Sequence, residues 1–428
     1  MTHNANNSKD SFDGLGIAPK ILGLLDRMKF TVPTPIQHKA IPIAIEGQDI
    51  IGVAQTGTGK TLAFAIPVIQ RLSQIKGLCL VLAPTRELAL QVDETFKKLA
   101  KPLGIKTCVI IGGMSMYLQV KRLRERPRVI IATPGRLMDH IRQKTLRLTA
   151  AEILVLDEAD RMLDMGFLPD IKRVMELVAK TRQTMLFSAT IPAAIMKMVS
   201  AYMQLPTHVE VAPSGTAAEN IVHELFIVKK EAKKQLLEKI LHQYHGSVLL
   251  FSRTKIGARK IKKIVKDFGY KAAEIHSDRS LAQRREALDG FKNGKYRVLV
   301  ATDIAARGID VIGIELVINF DLPEDVEQYV HRIGRTGRAG HEGRAISFAT
   351  PDQGSDVHNI EKLIKTQLPI SEHPELPKEK FNRNAKSSSS SRFRRGGTGG
   401  GSSKGGGGSK GGRDSKVKPW NFPKRNRK

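Results

Sequence analysis

The stretch DIIGVAQTGTGKTLAFAIPVIQRL, residues 49–72, decides how this chain is read. An apolar run, DIIGVA, enters a loop with two glycines, and apolar residues then recur at helical spacing. A strand, a glycine-containing loop and a helix, in that order, are the setting that a phosphate-binding loop requires. Gly57 and Gly59 let backbone N–H groups approach an anion, and the helix N-terminus adds the positive end of its dipole. In such a loop Lys60 reaches the β and γ phosphates and the Thr61 hydroxyl ligates Mg2+, with Thr56 and Thr58 completing the cradle. Ala54 stands where the general pattern has Gly, a small-for-small exchange.

Downstream, LVLDEADRM (residues 154–162) sets Asp157, Glu158 and Asp160 together behind an apolar run, in a chain of net charge +28. Neighbouring carboxylates repel, so a metal ion, an arginine or plain solvent must offset them. Proteins with a phosphate-binding loop use an Asp at the end of a second strand to hold the Mg2+ that bridges the phosphates, and ILVLD supplies it. Asp157 is therefore expected on the metal, and Glu158 as the base or water-orienting group for attack on the γ phosphate.

The 428 residues suffice for two domains with full-sized cores. No apolar run reaches the length of a membrane span, and the polar start MTHNANNSKDSFDG lacks the apolar core of a secretory signal. Cys79 and Cys108 both sit in apolar strand-like runs and are expected as buried free thiols in a reducing compartment, hence a cytoplasmic location by default. An excess of 70 Lys and Arg over 42 Asp and Glu points to a polyanionic partner, nucleic acid first and a membrane surface a distant second. Residues 381–428 hold 14 basic residues and one acid, and are so rich in Gly and Ser that they are expected to stay disordered.

Strand-like runs alternate with helical segments twice along the chain. DIIGVA, LCLVLA, TCVII, RVIIA, ILVLD and TMLFS form the first series; SVLLF, KAAEI, RVLVA, ELVIN and RAISF form the second. Near-continuous apolar strands separated by helices imply parallel sheets covered on both faces. The expected organisation is an extension over 1–20, a nucleotide-binding α/β domain over 21–206, a linker over 207–220, a second α/β domain over 221–368 and a basic tail over 369–428.

The motifs TVPTPIQ, AQTGTGKT, PTRELALQ, the pair Gly112 and Gly113, TPGRL, DEAD, SAT, LLFSRT, ATDIAARGID and HRIGRTGRAG follow one another in this order. The chain thereby resembles the DEAD-box RNA helicases over nearly all of residues 12–365, and within them is similar to the bacterial RhlE type. The resemblance implies two RecA-like domains with ATP in the cleft between them. It implies that Gln37 meets adenine while Phe30 and the upstream Phe12 serve the same site, although Lys29 stands where the family often has Gly. From the second domain it implies Arg335 and Arg338 as paired fingers on the γ phosphate, Asp303 on the ribose, and His331 and Arg332 at the domain interface with Asp160 as partner. Ser188, Ala189 and Thr190 are implied to couple hydrolysis to RNA. Pro84, Thr85, Arg86, Gly113, Thr133, Gly135, Arg136, Arg253, Arg285 and Thr302 are implied on the RNA backbone, with Gln283 a weaker match because HSDRSLAQRREAL departs from the family's HGDKSQ.

The expected activity is ATP-dependent remodelling of short RNA duplexes, in the company of ribonucleoprotein or RNA-degradation partners. An RNA-clamping scaffold with little turnover and a DNA translocase are the alternatives; intact Lys60, Glu158, Arg335 and Arg338 count against the first, and the DEAD, PTRELA and Gln37 motifs against the second. The tail, with Phe393, Trp420 and Phe422 among its cations, is expected to tether RNA without sequence preference. Each neutralised phosphate of a single strand adds about 0.7 to the salt slope, so five engaged tail charges add roughly 3.5. Truncation after Asn384 should weaken RNA binding, flatten its salt dependence and leave ATPase at saturating RNA nearly unchanged; an unaltered salt slope would remove the tail from RNA binding.

Overall fold

The computed structural model describes residues 11–55, 57–211, 221–306, 314–337 and 343–381; Thr56, Arg338 and the expected basic tail beyond Phe381 lie outside them. The first domain runs through helices α1 (Pro19–Arg27) and α2 (Pro35–Ile45) into strand β1 (Ile50–Val53) and α3 (Lys60–Leu72). It continues with β2 (Leu78–Leu82), α4 (Arg86–Ala100), β3 (Thr107–Ile110), α5 (Met116–Arg124), β4 (Val129–Ala132) and α6 (Pro134–Arg142). β5 (Ala151–Asp157), α7 (Ala159–Asp164), α8 (Leu168–Leu177), β6 (Gln183–Ser188), α9 (Ala193–Tyr202) and β7 (Thr207–Glu210) complete it. All its strands pair in parallel, in the order β3-β4-β2-β5-β6-β1-β7, with an apolar cluster on each face of the sheet.

The second domain repeats the plan: β8 (Ile221–Ile227), α10 (Lys233–Gln243), β9 (Val248–Phe251), α11 (Lys255–Asp267), β10 (Ala272–Ile275), α12 (Leu281–Lys292) and β11 (Val298–Ala301). Then follow α13 (Asp303–Ala306), β12 (Leu316–Asn319), α14 (Val326–Ile333), β13 (Gly343–Ala349) and α15 (Gly354–Ile364). Its parallel sheet has the order β10-β11-β9-β12-β13-β8. Two parallel α/β domains of the kind expected are thus present. Among the described residues no helix is long and apolar enough to cross a membrane, and both cysteines are free and buried.

Three expected boundaries shift. Residues 207–210, expected in the linker, form β7, because backbone groups of β1 remain to be paired on that side. Phe12, Leu15 and Ile17, expected in an extension, are buried in the first domain's core. At the other end Leu225 donates its N–H to Pro369 O at 2.9 Å and accepts from Ser371 N at 2.8 Å, so residues just past the expected domain end cover edge strand β8.

β1 is placed by what surrounds it. A Cβ on Gly52 would come within 2.5 Å of the Phe187 ring, so glycine is what lets that ring lie across the strand and pack on Phe64, 5.4 Å away between centroids. At the base of β1 the buried Asp49 accepts from Thr184 N at 2.6 Å and Gln204 N at 2.9 Å, tying it to β6 and to the turn before β7. Asp49→Ala leaves both buried N–H groups unpaired and should cost about 2–4 kcal/mol. Denaturant unfolding measures this, and a change below about 0.5 kcal/mol would contradict it.

Candidate active site and RNA track

The C-terminal ends of β1, β5 and β6 converge, and the loops that leave them build the site. After β1 the backbone turns through Gly57 (φ +88°) and Gly59 (φ +90°), left-handed conformations that favour glycine. A Cβ on Gly59 would stand 2.4 Å from Gln37 Nε2, so the glycine is also demanded by its neighbour. Gln37, expected on adenine, is buried with its amide turned to the protein: Oε1 accepts from Thr34 N (2.9 Å) and Nε2 donates to Gly59 O (3.0 Å). It thereby braces the phosphate loop, keeping one amide hydrogen over. Phe12, expected at the same site, lies in the core instead, because its ring packs under the first domain's helices. Phe30 is 39% exposed and free to stack. Lys29 before it adopts φ +61°, the turn a glycine would make, at roughly 1–2 kcal/mol of strain.

Lys60 opens α3, is buried, and donates from Nζ to Ala54 O at 2.8 Å; Thr61 follows, half-buried, while the Thr58 hydroxyl donates to Gln55 O. Across from it Asp157, Glu158 and Asp160 are all buried. Burial, reinforced by Glu158, pushes the Asp157 carboxyl up to about 7 against the pull of Lys60 and Arg161. Of the three ways to offset these charges, the structure supplies an arginine: Arg161 Nη1 lies 2.5 Å from Glu158 Oε2, with side-chain exposures of 1% and 4%. Glu158 itself takes a left-handed turn (φ +53°) that aims its side chain back toward this guanidinium. Arg161 was absent from the sequence expectations; an Arg just past an acidic turn reads as solvated until its burial is known.

Asp160 faces β6. Its Oδ2 accepts from Ala189 N (3.1 Å), Thr190 N (2.9 Å) and Thr190 Oγ1 (3.3 Å), and its own N–H reaches Ser188 Oγ at 3.0 Å. Burial would raise this carboxyl, but Lys60, His331, Arg161 and the Thr190 N–H outweigh it and hold it below the usual range. His331 comes from the second domain, as does Glu327, whose carboxyl is raised by burial and by Asp325, Asp164 and Asp160. Arg335 is buried, with Nε donating to His331 O at 3.2 Å. Arg332, expected at the interface opposite Asp160, turns inward: it forks onto both oxygens of Asp303 (2.5 and 2.8 Å), reaches Asn319 and the Asp321 carbonyl, and lies over the Phe251 ring. Asp303, expected on ribose, therefore already serves that fork.

Of the expected RNA contacts, Arg86 and Gly113 come together, and Arg136 meets the start of α5 three residues on from Gly113. The Arg86 guanidinium lies against Gly112 and Gly113, where a Cβ on Gly113 would be 2.6 Å from Nη1, and Arg136 Nη1 is 3.9 Å from Met116 Sδ. Gly135 and Arg285 are exposed, and Thr302 is half-buried. Arg253 is exposed, with its N–H on Asp321 Oδ2 and its Nη2 on Leu322 O. Pro84, Thr85 and Thr133 are buried, and the Thr85 hydroxyl caps α4 by accepting from Leu88 N, which leaves its own O–H to donate. Gln283 puts its Oε1 into the capping box of α12, accepting from Ser280 N, and keeps its amide donors. Sequence reasoning also missed Arg284, which crosses between the domains to Glu87 at 2.9 Å, both side chains largely buried.

Residues 34–198 match the DEAD/DEAH box helicase model, and residues 232–340 match the helicase conserved C-terminal domain. The chain belongs to the DEAD-box helicase family. The ATP-dependent rRNA helicase RRP3 of Candida albicans is 42% identical over 373 residues, covering 86% of this chain and 70% of that one. The DEAD-box ATP-dependent RNA helicase CshA of Bacillus cereus is 42% identical over 371 residues, with coverages of 86% and 70%. Among solved structures, S. cerevisiae Dbp5 bound to RNA and ADP BeF3 superposes with a TM-score of 0.75 at 32% identity, covering 84% of this chain and 96% of that one. Mss116p bound to ssRNA and AMP-PNP gives 0.78 at 29% identity, with coverages of 87% and 82%. The chain is an ATP-dependent RNA helicase and, with it, an RNA-dependent ATPase.

Arg161→Lys keeps the charge but loses the rigid, planar guanidinium whose Nη1 holds Glu158, so kcat for ATP should fall about 10- to 100-fold with nucleotide affinity within a few-fold of wild type. Steady-state ATPase checks this; an unchanged kcat would show that Arg161 serves only the packing of α7.

Proposed function

We propose that this helicase opens short RNA duplexes locally, by closing its two domains around ATP and one RNA strand and releasing that strand after hydrolysis. In this reading Lys60 binds the β and γ phosphates, Glu158 orients or deprotonates the attacking water, and Arg335 and Arg338 offset the charge developing on the transferred phosphate. The remaining residues of the loop, Thr56, Gly57, Thr58 and Gly59, supply the cradle, and Phe30 stacks on the base. Arg86, Gly113, Arg136, Arg253 and Arg285 hold the RNA backbone, a mode of contact that positions a strand without reading it. A strand held bent along both domains cannot stay paired, so its complement is shed.

The observation that carries the proposal is the wiring of Asp160. This one carboxylate joins the acidic turn to Ser188, Ala189 and Thr190 on β6 and feels His331 of the second domain, so a change at the phosphates reaches both domains.

The residues also fit Mg2+. Thr61 offers a hydroxyl and Asp157 a buried carboxyl, hard oxygen donors of the sort that hold this ion together with substrate phosphates. When bound, the ion would neutralise charge on the β and γ phosphates. Cytoplasmic location is supported by the two buried free thiols. The name of the RRP3 relative, an rRNA helicase, supports ribosomal RNA as the substrate class.

Lys60→Ala should abolish ATP turnover; activity within a few-fold of wild type would sink the phosphate-loop assignment. Glu158→Gln keeps shape and should bind ATP and RNA but release RNA slowly, read as a long-lived complex in a chase with unlabelled strand. Release as fast as wild type would mean that hydrolysis is not the releasing step. Because burial and Glu158 push the Asp157 carboxyl up to about 7, Mg2+ affinity should weaken as pH falls through that value. A Mg2+ titration at about pH 6 and about pH 8 that gave equal affinities would contradict Asp157 as the ligand.

A further inference from the structure

Helix α5 is held to the first domain by Gln119, with Leu123 packed against the core beside it. Gln119 is its single buried residue, and its amide clamps Ile111 through both the N–H (3.1 Å) and the carbonyl (3.2 Å). The opposite face is open. Tyr117, Lys121 and Arg124 follow one another at i, i+4 and i+7, which puts them on one stripe, and all three are exposed. Tyr117 is 74% exposed, with Leu118 beside it at 51%. Among the described residues no ion pair is made by Lys121, Arg122 or Arg124. The first turn of the helix continues the RNA track: Met116 touches Arg136, and Gly113, against Arg86, lies three residues earlier.

A basic stripe by itself is an ordinary solvated face. An exposed aromatic ring at its head, where the backbone-holding arginines end, adds what a solvated face does not need. A ring offers a base a stacking platform, and unpaired cations beyond it offer phosphates a path. We propose that the outer face of α5 is a further RNA-binding site, with Tyr117 stacking on a base just beyond the track and Lys121 and Arg124 holding the phosphates that follow. The occupant is a single-stranded flank of the substrate. Charge complementarity and the small apolar area, limited to Tyr117 and Leu118, favour this over a folded protein partner. The inference rests on the reading of Arg86, Gly113 and Arg136 as an RNA track.

The test uses the full chain, with Tyr117→Ala and the double variant Lys121→Glu/Arg124→Glu, neither of which touches the core. Affinity is measured for a short single strand that fills only the track and for the same strand extended at either end. The extension should tighten binding to wild type, and Tyr117→Ala should weaken binding of the extended strand about tenfold. The double variant should lower its salt slope by about 1.4. Both variants should bind the short strand as wild type does and keep its stimulation of ATPase. Equal affinity of wild type and variants for the extended strand, or equal losses on both strands, would overturn the proposal. Loss of binding to poly-glutamate with an unchanged RNA profile would overturn it in favour of an acidic protein partner. Absence of any RNA stimulation in wild type would remove the track reading itself, and this inference with it.

Discussion

Three carboxylates buried within four residues are the constraint on which the site depends. Unpaired, each would stand several kcal/mol against folding or give up its charge. The chain answers by drawing cations from separate places: Lys60 from the start of α3, Arg161 from the short helix α7 that also carries Asp160, and His331 from the second domain. The balance is incomplete at Asp157, which is left pushed upward and open to a further positive charge. An acidic turn that is nearly neutralised by protein, with one carboxyl held back, suits a site whose last charges arrive with the substrate.

The same need for partners joins the domains. Asp160 spends one oxygen on the turn after β6, so the residues leading into α9 cannot move without the acidic turn. Glu87, in the segment that also carries Arg86, is met by Arg284 of the second domain. Breaking such a buried pair leaves a charge uncompensated, at about 3–5 kcal/mol, so the pair favours a particular alignment of the domains rather than a loose contact.

Much of this was legible in the sequence because it is local. The apolar runs gave the strands, the glycines gave the loop after β1, and the spacing of Asp157 from the run before it gave its place at the end of β5. What escaped is what depends on which way a side chain turns. Gln37 and Thr85 carry groups suited to a ligand, yet the backbone beside them had unpaired N–H and C=O groups that took part of their hydrogen-bonding capacity. Arg284 and Arg285 are adjacent and chemically alike, and only the position of Glu87 decides that the first crosses the interface while the second stays exposed. Arg332 turned inward for the same reason, since Asp303, Asn319 and the Asp321 carbonyl formed a complete set of acceptors for its fork. β7 was missed because a four-residue strand with polar alternation resembles a linker until the free edge of β1 is known.

The central claim is that the acidic turn becomes competent only when RNA brings the second domain onto it. Its most direct test is the steady-state ATPase rate of the intact protein without nucleic acid, with an RNA oligomer, and with a DNA oligomer of the same sequence. The account predicts a low rate alone, a large increase with RNA and little with DNA. A rate that is already high without nucleic acid, or that DNA raises as well as RNA does, would contradict it.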